Sequence, residues 1–209
     1  GNLLNLGGYP DLNAYQTIFS GDTQEITGET LFDYLIIQPT VSVTINSNIT
    51  VNENFNLSQG EFIDNGNTVS VKKSVVNDAI FTSSEDDQGG LLFNGSALQT
   101  IAGTGEFGRI ELDNSSGLRF LNSIGMRKNL VLTNGIVNIQ NFKLSFCESS
   151  IIEGDFSVDK MVITNGATES QGICKLLPSG AGNFFYPIGV SGKYTPVEVN
   201  YTSNSVATN

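Results

Sequence analysis

The densest group of residues able to do chemistry is an acidic run, Glu85, Asp86 and Asp87. Three neighbouring carboxylates form a hard oxygen site of the kind that binds Ca²⁺. Neither a D-x-D-x-D-G loop nor a G-G-x-G-x-D repeat accompanies the run, and these are the patterns that calcium loops share. Two interpretations remain: a weak calcium site or, as we favour, a solvated insertion at a corner between strands.

A second candidate chemistry is the cleavage of polysaccharides, because a pair of carboxylates is the usual device of glycoside hydrolases. Lyases that act on uronates also place Arg or Lys beside the substrate. The scattered candidates are Asp64, Glu106, Glu111 and Asp113, with Arg109, Arg119 and Arg127. Charged residues that flank strands are usually solubilising outward positions. We therefore expect no catalytic residues and keep a polysaccharide lyase or hydrolase as the alternative.

Two absences from the composition restrict the function further. The 209 residues include no His and no Trp, which excludes Ser-His-Asp devices, imidazole bases and His-ligated metals. The net charge is −11 with 10 basic residues, whereas nucleic acids and anionic lipids are bound by basic surfaces. We expect no nucleic-acid partner and no cofactor, with calcium as the one weak exception.

The two cysteines, Cys147 and Cys174, leave a choice open. Without further ligands they do not predict a metal site. They form either one disulfide in an oxidising compartment or two buried thiols. The sequence contains no run of 18 apolar residues, so it predicts no membrane-spanning helix. No signal peptide is recognisable. We expect Gly1 to be a processed or excised start and Asn209 the end of a fragment.

Aromatic residues cluster near the C-terminus. Phe184, Phe185, Tyr186 and Tyr194 lie within eleven positions of one another. They either bury each other as the core of a small module or line a groove that binds a glycan or a neighbouring module.

Apolar residues alternate with polar ones in short bursts, which is the pattern of β-strands. Apolar positions also recur about every 20 residues. The recurring sets are Leu92/Leu112/Leu132/Ile152, Ile124/Leu144, Met126/Phe146, Ile37/Leu57, Ile49/Val69 and Val51/Val71. Three short strands per period form one coil of a solenoid, and stacking buries the inward residues that a single coil leaves exposed. The predicted fold is all-β, a right-handed parallel β-helix (β-solenoid) of about 20 residues per coil, followed by a small β-rich C-terminal module.

A longer repeat is visible when the sequence is aligned with itself so that Phe32 falls on Phe107. The same alignment places Leu35 on Ile110 and, without a gap, matches most apolar positions up to Val71. Upstream, residues 19–32 and 93–107 share F-x-G, then Q-x-I-x-G, then Phe. We call this the long repeat. It predicts a solenoid over residues 18–165, built from two related units of about 19–93 and 93–165, with residues 1–17 as an N-terminal cap.

Asn and Gly are predicted to form the corners between strands, because both residues adopt positive φ readily. Asn94, Asn114 and Asn134 follow the shorter period and predict a ladder of stacked amides. Gly95 and Gly135 follow two of them and are predicted to be structural.

After about residue 165 the pattern changes. Pro178, Pro187 and Pro196 are three of the five prolines, and proline does not suit interior strands. We predict that residues 166–209 form a separate Pro- and aromatic-rich module that caps the solenoid, since an open end is a raw sheet edge.

These motifs resemble a known group of proteins. The two F-x-G…Q-x-I-x-G units and N-L-V-L-T-N-G-I (residues 129–136) resemble repeats of very large secreted Bacteroidetes proteins, which are surface adhesins and related type IX secretion cargo. The segment N-F-F-Y-P-I-G-V-S-G-K-Y-T-P-V-E-V (residues 183–199) resembles a module that follows such repeats. The resemblance implies an exported cell-surface protein, a sorting domain outside this chain, a secretion machinery as partner, and no catalytic residues to carry over.

From the residues and the resemblance together, we expect a non-catalytic structural or adhesive module, located outside the cell. It would act as a stiff spacer and present side chains to surface glycans or to neighbouring modules of the same protein. Membrane insertion is not expected.

Overall fold

A computed structural model describes residues 1–6, 11–86 and 88–205, with the side chains of residues 11–14 left aside. Over these residues the chain is built from strands and turns without a helix. Accordingly, no described segment is a helix long and apolar enough to cross a membrane.

The strands lie on three faces because each coil contributes a short strand to every face. The first face contains β6 (Ile49–Val51), β9 (Thr68–Val71), β12 (Gly90–Phe93), β15 (Ile110–Asp113), β18 (Leu130–Asn134) and β21 (Ile152–Gly154). The second face contains β7 (Phe55–Leu57), β10 (Ser74–Asn77), β13 (Gln99–Ala102), β16 (Leu118–Phe120), β19 (Val137–Asn138), β22 (Val162–Ile163) and β25 (Ile188–Val190).

The third face is a sheet of its own. It contains β1 (Leu3–Leu4), β3 (Thr23–Thr27), β5 (Ser42–Ile45), β8 (Glu61–Ile63), β11 (Ile80–Thr82), β14 (Glu106–Phe107), β17 (Ile124–Met126), β20 (Lys143–Phe146) and β23 (Gly172–Lys175). Two longer strands, β2 (Asp11–Phe19) and β4 (Thr30–Ile37), run side by side, and β4 joins the first face to the second by pairing with both β6 and β7.

The stacking confirms the predicted parallel β-solenoid, with about seven turns over the described residues. Leu112 lies opposite Leu132 across β15 and β18, as the shorter period predicts. Inward residues form continuous buried rows, and Phe62 and Phe81 pack with ring centroids 5.2 Å apart. Burial of such rows, which is the dominant stabilising term in folding, holds one coil on the next.

The period is not constant along the first face. Leu91 pairs with Ile110, Ile110 with Leu130 and Leu130 with Ile152, so each step is longer than the one before it. The predicted row of Leu92 with Leu112 is therefore wrong, because Leu92 points outward and lies opposite Glu111. The predicted pair of Leu132 with Ile152 is also wrong, because Ile152 lies opposite Leu130 and Leu132 lies opposite Gly154. The register confirms the remaining predicted pairs, which are Ile124/Leu144, Met126/Phe146, Ile37/Leu57, Ile49/Val69 and Val51/Val71.

The long repeat does not superimpose equivalent faces. Phe32 pairs with Val51 on the first face, whereas Phe107 pairs with Met126 on the third. From β5 to β9, the alignment moves each strand eleven strands along the chain, which is one strand short of four full coils. It reproduces the inward and outward alternation but turns every position by one face.

The sheets extend beyond the predicted ends of the solenoid. In the predicted N-terminal cap, β1 pairs with β3 and β2 with β4, all in parallel. Beyond residue 165, β23 pairs with β20, and β25 pairs with β22. The remaining C-terminal strands are antiparallel: β26 (Lys193–Tyr194) lies on the edge of β25, and β24 (Gly182–Tyr186) pairs with β27 (Val197–Tyr201).

Candidate functional site

Polar and charged side chains cluster where the chain turns from the third face to the first. We call this edge the third-to-first corner; it consists of residues 64–67, 83–86, 88–89, 108–109, 127–129 and 147–151. An insertion enlarges it, because seven residues join β11 to β12, whereas four residues join β8 to β9. The acidic run lies in this insertion, as the corner interpretation predicts.

The insertion is anchored by two aspartates. Asp64 is fully buried, and its Oδ1 accepts hydrogen bonds from the Gly66 N–H (2.9 Å) and the Ser84 N–H (3.3 Å). Burial raises the pKa of Asp64, and its Oδ2 has no hydrogen-bond partner among the described residues. Asp86 accepts a hydrogen bond from the Ser84 hydroxyl, which lowers the pKa of Asp86. Ser84 thereby links the buried carboxylate to the exposed one.

The calcium candidates point to different partners. The Glu85 carboxylate lies 2.7 Å from the Lys128 ammonium on the next-but-one coil, while Asp86 is turned toward Ser84. Asp87 lies outside the described residues, so the full set of three carboxylates stays a prediction. Across the described parts of the chain, no group of three or more Cys, Asp and Glu is arranged to hold a metal ion.

A cavity of about 220 Å³ opens beside the Glu85–Lys128 pair. The residues that line it are Phe81, Thr82, Ser83, Glu85, Gly108, Arg127, Lys128 and Ser149. Gly108 lines the cavity, and a Cβ added there would lie 2.3 Å from the Ser83 Oγ. Ser83 is 5% exposed, and its Oγ accepts a hydrogen bond from the Arg109 N–H (2.8 Å). A larger residue at position 108 would overlap Ser83, so glycine is required there. The missing side chain contributes to the space of the cavity.

The carboxylates and arginines considered for catalysis do not converge. Arg109 pairs with Glu111 at 2.9 Å, and Arg127 pairs with Glu106 on the third face. Asp64 is buried within the corner, whereas Asp113 and Arg119 are exposed on the first and second faces.

Comparison with known proteins adds no constraint. The chain matches no protein-family model, no curated protein and no solved structure. Inference about function therefore depends on the geometry of the chain itself.

The predicted asparagine ladder is replaced by other contacts. Register places Asp113 opposite Asn134, and Asn114 lies one position further on. Asn94 accepts a hydrogen bond from the Lys72 ammonium (3.0 Å) instead of stacking on Asn114. A short ladder runs from Asn65, in the third-to-first corner, to the two preceding coils: the Asn65 amide donates to Asn46 and the Asn46 amide donates to Thr27, both at 3.3 Å.

Asn114 belongs to a buried polar network that sequence analysis missed. Its amide donates to the Gln99 Oε1 (2.9 Å), which also accepts from the Gly95 N–H (2.8 Å). The Gln99 amide donates to the carbonyls of Val71 (2.8 Å) and Lys73 (2.9 Å) on the preceding coil. The F-x-G…Q motif was the available signal, because Gln24 bonds the Gly21 N–H in the same way.

The two glycines predicted to be structural stand at close approaches. A Cβ on Gly95 would lie 2.2 Å from the Lys72 carbonyl oxygen, and one on Gly135 would lie 2.0 Å from the Asn114 carbonyl oxygen. Gly135 also has φ of 99°, whereas Gly95 is not among the positive-φ residues. Close stacking, more than φ, requires glycine at Gly95.

Both cysteines are free in the structure. Cys174 lies opposite Ser145, and Cys147 lies two residues beyond Ser145. This offset separates the two Cα atoms by about 8 Å, given the strand rise and spacing, whereas a disulfide needs less than about 7 Å. The alternative of two buried thiols does not hold either, since Cys174 is exposed and Cys147 half-buried.

The C-terminal aromatics divide between core and surface. Phe184 is 3% exposed and packs against Phe146, with ring centroids 6.0 Å apart, and against Tyr186 at 4.6 Å. Phe185 stacks on Phe156 at 5.5 Å and stays 36% exposed. Tyr194 is half-buried on β26. Ligand binding by this cluster stays a prediction.

Proposed function

We propose that this chain is a non-catalytic structural or adhesive module of a large exported surface protein, in which it acts as a stiff spacer. The observation that carries the proposal is the uninterrupted parallel pairing of the third face, which runs from β1 to β23.

Stiffness follows from this pairing. Each coil is hydrogen-bonded to the coils on both sides, and its inward residues lie in rows that continue into the neighbouring coils. Bending the stack would separate paired backbone groups and expose part of the core. About seven coils, at a strand spacing of about 4.8 Å, span roughly 35 Å.

The arrangement of charges favours this role over catalysis. Glycoside cleavage needs two carboxyl groups facing each other across a substrate at about 5–10 Å. Here Glu106 and Glu111 each pair with a different arginine on a different face, and Asp64 is engaged in a buried turn. A polysaccharide-active enzyme is the competing function.

We place the module outside the cell, with surface glycans or neighbouring modules as its partners. Outward positions of the first face carry Thr50 and Ser70, whose hydroxyls are neutral hydrogen-bonding groups. A contact made by one module would be weak, and repetition along a longer protein would strengthen it.

Two measurements test the proposal: an assay for polysaccharide cleavage and small-angle scattering from the purified chain. The purified chain is incubated with a panel of neutral and acidic polysaccharides, and released reducing ends and unsaturated uronates are measured. We expect no turnover, and small-angle scattering that fits a rigid rod with a solenoid about 35 Å long. Turnover that an active-site inhibitor abolishes, or scattering from a flexible chain, would overturn the proposal.

A further inference from the structure

The Glu85–Lys128 pair joins a lysine whose side chain is largely covered to a carboxylate that is almost fully exposed. The Lys128 side chain is 19% exposed, and the Glu85 side chain is 95% exposed. A lysine side chain covered to this extent holds its ammonium in a defined position, where it can pair with an anion, whereas an exposed carboxylate contributes little to an ion pair because water competes for it. An anion that binds Lys128 more tightly could therefore take the place of Glu85. The displaced Glu85 carboxylate would stay in water, because its side chain is exposed.

The cavity beside the pair offers further hydrogen-bond donors. The Ser149 hydroxyl lines it together with Arg127, whereas the Thr82 hydroxyl donates to Glu61. Arg127 already pairs with Glu106, but a guanidinium carries five N–H donors and one carboxylate does not use them all. Two cations together with a hydroxyl suit an oxyanion attached to a hydroxylated molecule.

The size and lining of the cavity exclude large apolar ligands. Its volume of about 220 Å³ is below the range of pockets for drug-sized ligands, about 300–1,000 Å³. The Phe81 side chain faces the core and is fully buried, so the residues that line the cavity present no aromatic surface. Lys128 and Arg127 both line the cavity, whereas charges more than about 8 Å from a ligand are largely screened at physiological ionic strength.

We propose that this cavity is an anion site, which takes one carboxylate or sulfate group of a hydroxylated ligand. Lys128 is the binding cation, Gly108 provides the space, and Glu85 is the resident carboxylate that the ligand displaces. The site exists whether or not the chain acts as a spacer.

The experiment is a titration of the ¹⁵N-labelled chain at constant ionic strength with sodium sulfate, glucuronate, acetate and glucose. We expect amide shifts of Gly108 and Ser83 with sulfate or glucuronate, and none with glucose. Shifts with glucuronate but not acetate would assign the site to hydroxylated carboxylates. Shifts with sulfate and acetate alike, but no tighter binding of glucuronate, would overturn the requirement for a hydroxylated ligand.

Three variants decide the roles of the residues. Lys128→Met should weaken sulfate binding about tenfold, Glu85→Gln should tighten it severalfold, and Lys193→Met, which removes an exposed charge elsewhere, should leave it unchanged. Glu85→Gln changes an exposed side chain and tests the proposal even if Lys128→Met fails to fold. Gly108 and Ser83 amides that stay unshifted by every anion, or an equal loss in Lys193→Met, would overturn the anion site.

Discussion

Phe146 and Lys175 lie opposite each other in the last strand pair of the third face, so that a lysine ends an inward row of the core. The Lys175 ammonium donates to the carbonyls of Cys147 (2.6 Å), Glu148 (2.7 Å) and Ser150 (2.6 Å). It also lies 5.3 Å from the centre of the Phe184 ring. One side chain thus closes the corner loop and supports the aromatic cover of the core.

Lys175→Met should lower the free energy of unfolding by about 3 kcal/mol, because hydrogen bonds to a charged donor contribute about 1.5–3 kcal/mol each and are not additive. Urea denaturation measures the change. Lys193→Met is the control, since Lys193 is exposed. Equal stability of the two variants would contradict a structural role for Lys175.

Gln99→Leu should lower the free energy of unfolding by about 2–3 kcal/mol. The substitution leaves the Gly95 N–H, the Asn114 amide and two backbone carbonyls without their hydrogen-bond partner. Gln171→Leu is a matched control: Gln171 accepts the Ala167 N–H over the same four-residue separation, but at an exposed site. Thermal unfolding of both variants distinguishes burial from the turn itself. A large loss in both would show that the turn alone matters.

Gly103→Ala should lower the free energy of unfolding by about 3 kcal/mol or more, because the backbone conformation is strained for alanine and the added Cβ would overlap a backbone oxygen. Gly103 has φ of 109°, and a Cβ there would lie 1.9 Å from the Asn77 carbonyl oxygen. Gly125→Ala is the control, since no described atom outside its chain neighbours lies within 4 Å of its Cβ position. It should be neutral or slightly stabilising. Melting temperatures of the two variants that agree would refute the close approach.

Asp64→Asn should stabilise the chain at pH 7 by about 1 kcal/mol, because the unpartnered Oδ2 carries less charge as an amide nitrogen. Burial raises the pKa of Asp64 above 3.8, so the folded state binds the proton more tightly than the unfolded state. This carboxyl group therefore disfavours folding at neutral pH, and the penalty disappears as the pH falls through the folded pKa toward 3.8.

Stability curves between pH 4 and 7 measure this difference. The gap between Asp64→Asn and the parent should narrow toward pH 4, while Asp113→Asn, at an exposed position, should follow the parent throughout. A gap that widens on acidification would contradict a raised pKa for Asp64.

Oxidation should not join Cys147 to Cys174 within one chain, since their register holds them too far apart. Burial opposes ionisation of Cys147, but hydrogen bonds from Ser150 and Ser149 outweigh it and lower the pKa of the thiol. Both thiols should be alkylated by iodoacetamide without denaturant. Mass spectrometry under non-reducing conditions checks both expectations, and a loss of two hydrogens from the monomer would contradict the first.

The alternation of side chains and the period of one coil are enough to predict the solenoid fold. Alternation distinguishes inward from outward residues, and recurrence places Ile124 on Leu144. Neither pattern predicts which outward residues meet, because the length of each coil is decided at its corners. The short step from Leu91 to Ile110 displaces Leu92 from Leu112, and a register shift after Leu112 separates Asn114 from the asparagine ladder.

The sequence predicts the acidic part of the candidate site but not the residues that complete it. The acidic run was evident, and its position in a corner insertion was predicted. Its partner Lys128 is far from Glu85 along the chain, and no local pattern links the two. Gly108 shows its role only when the stacking brings Ser83 beside it.

The mismatch between the long repeat and four full coils has a consequence for any longer array of such blocks. Each added block would rotate the pattern of outward side chains by a third of a turn relative to the block before it. A binding group repeated in every block would then follow a helical path around the rod. A flat surface would meet one copy in three, while a partner that surrounds or winds along the rod would meet them all.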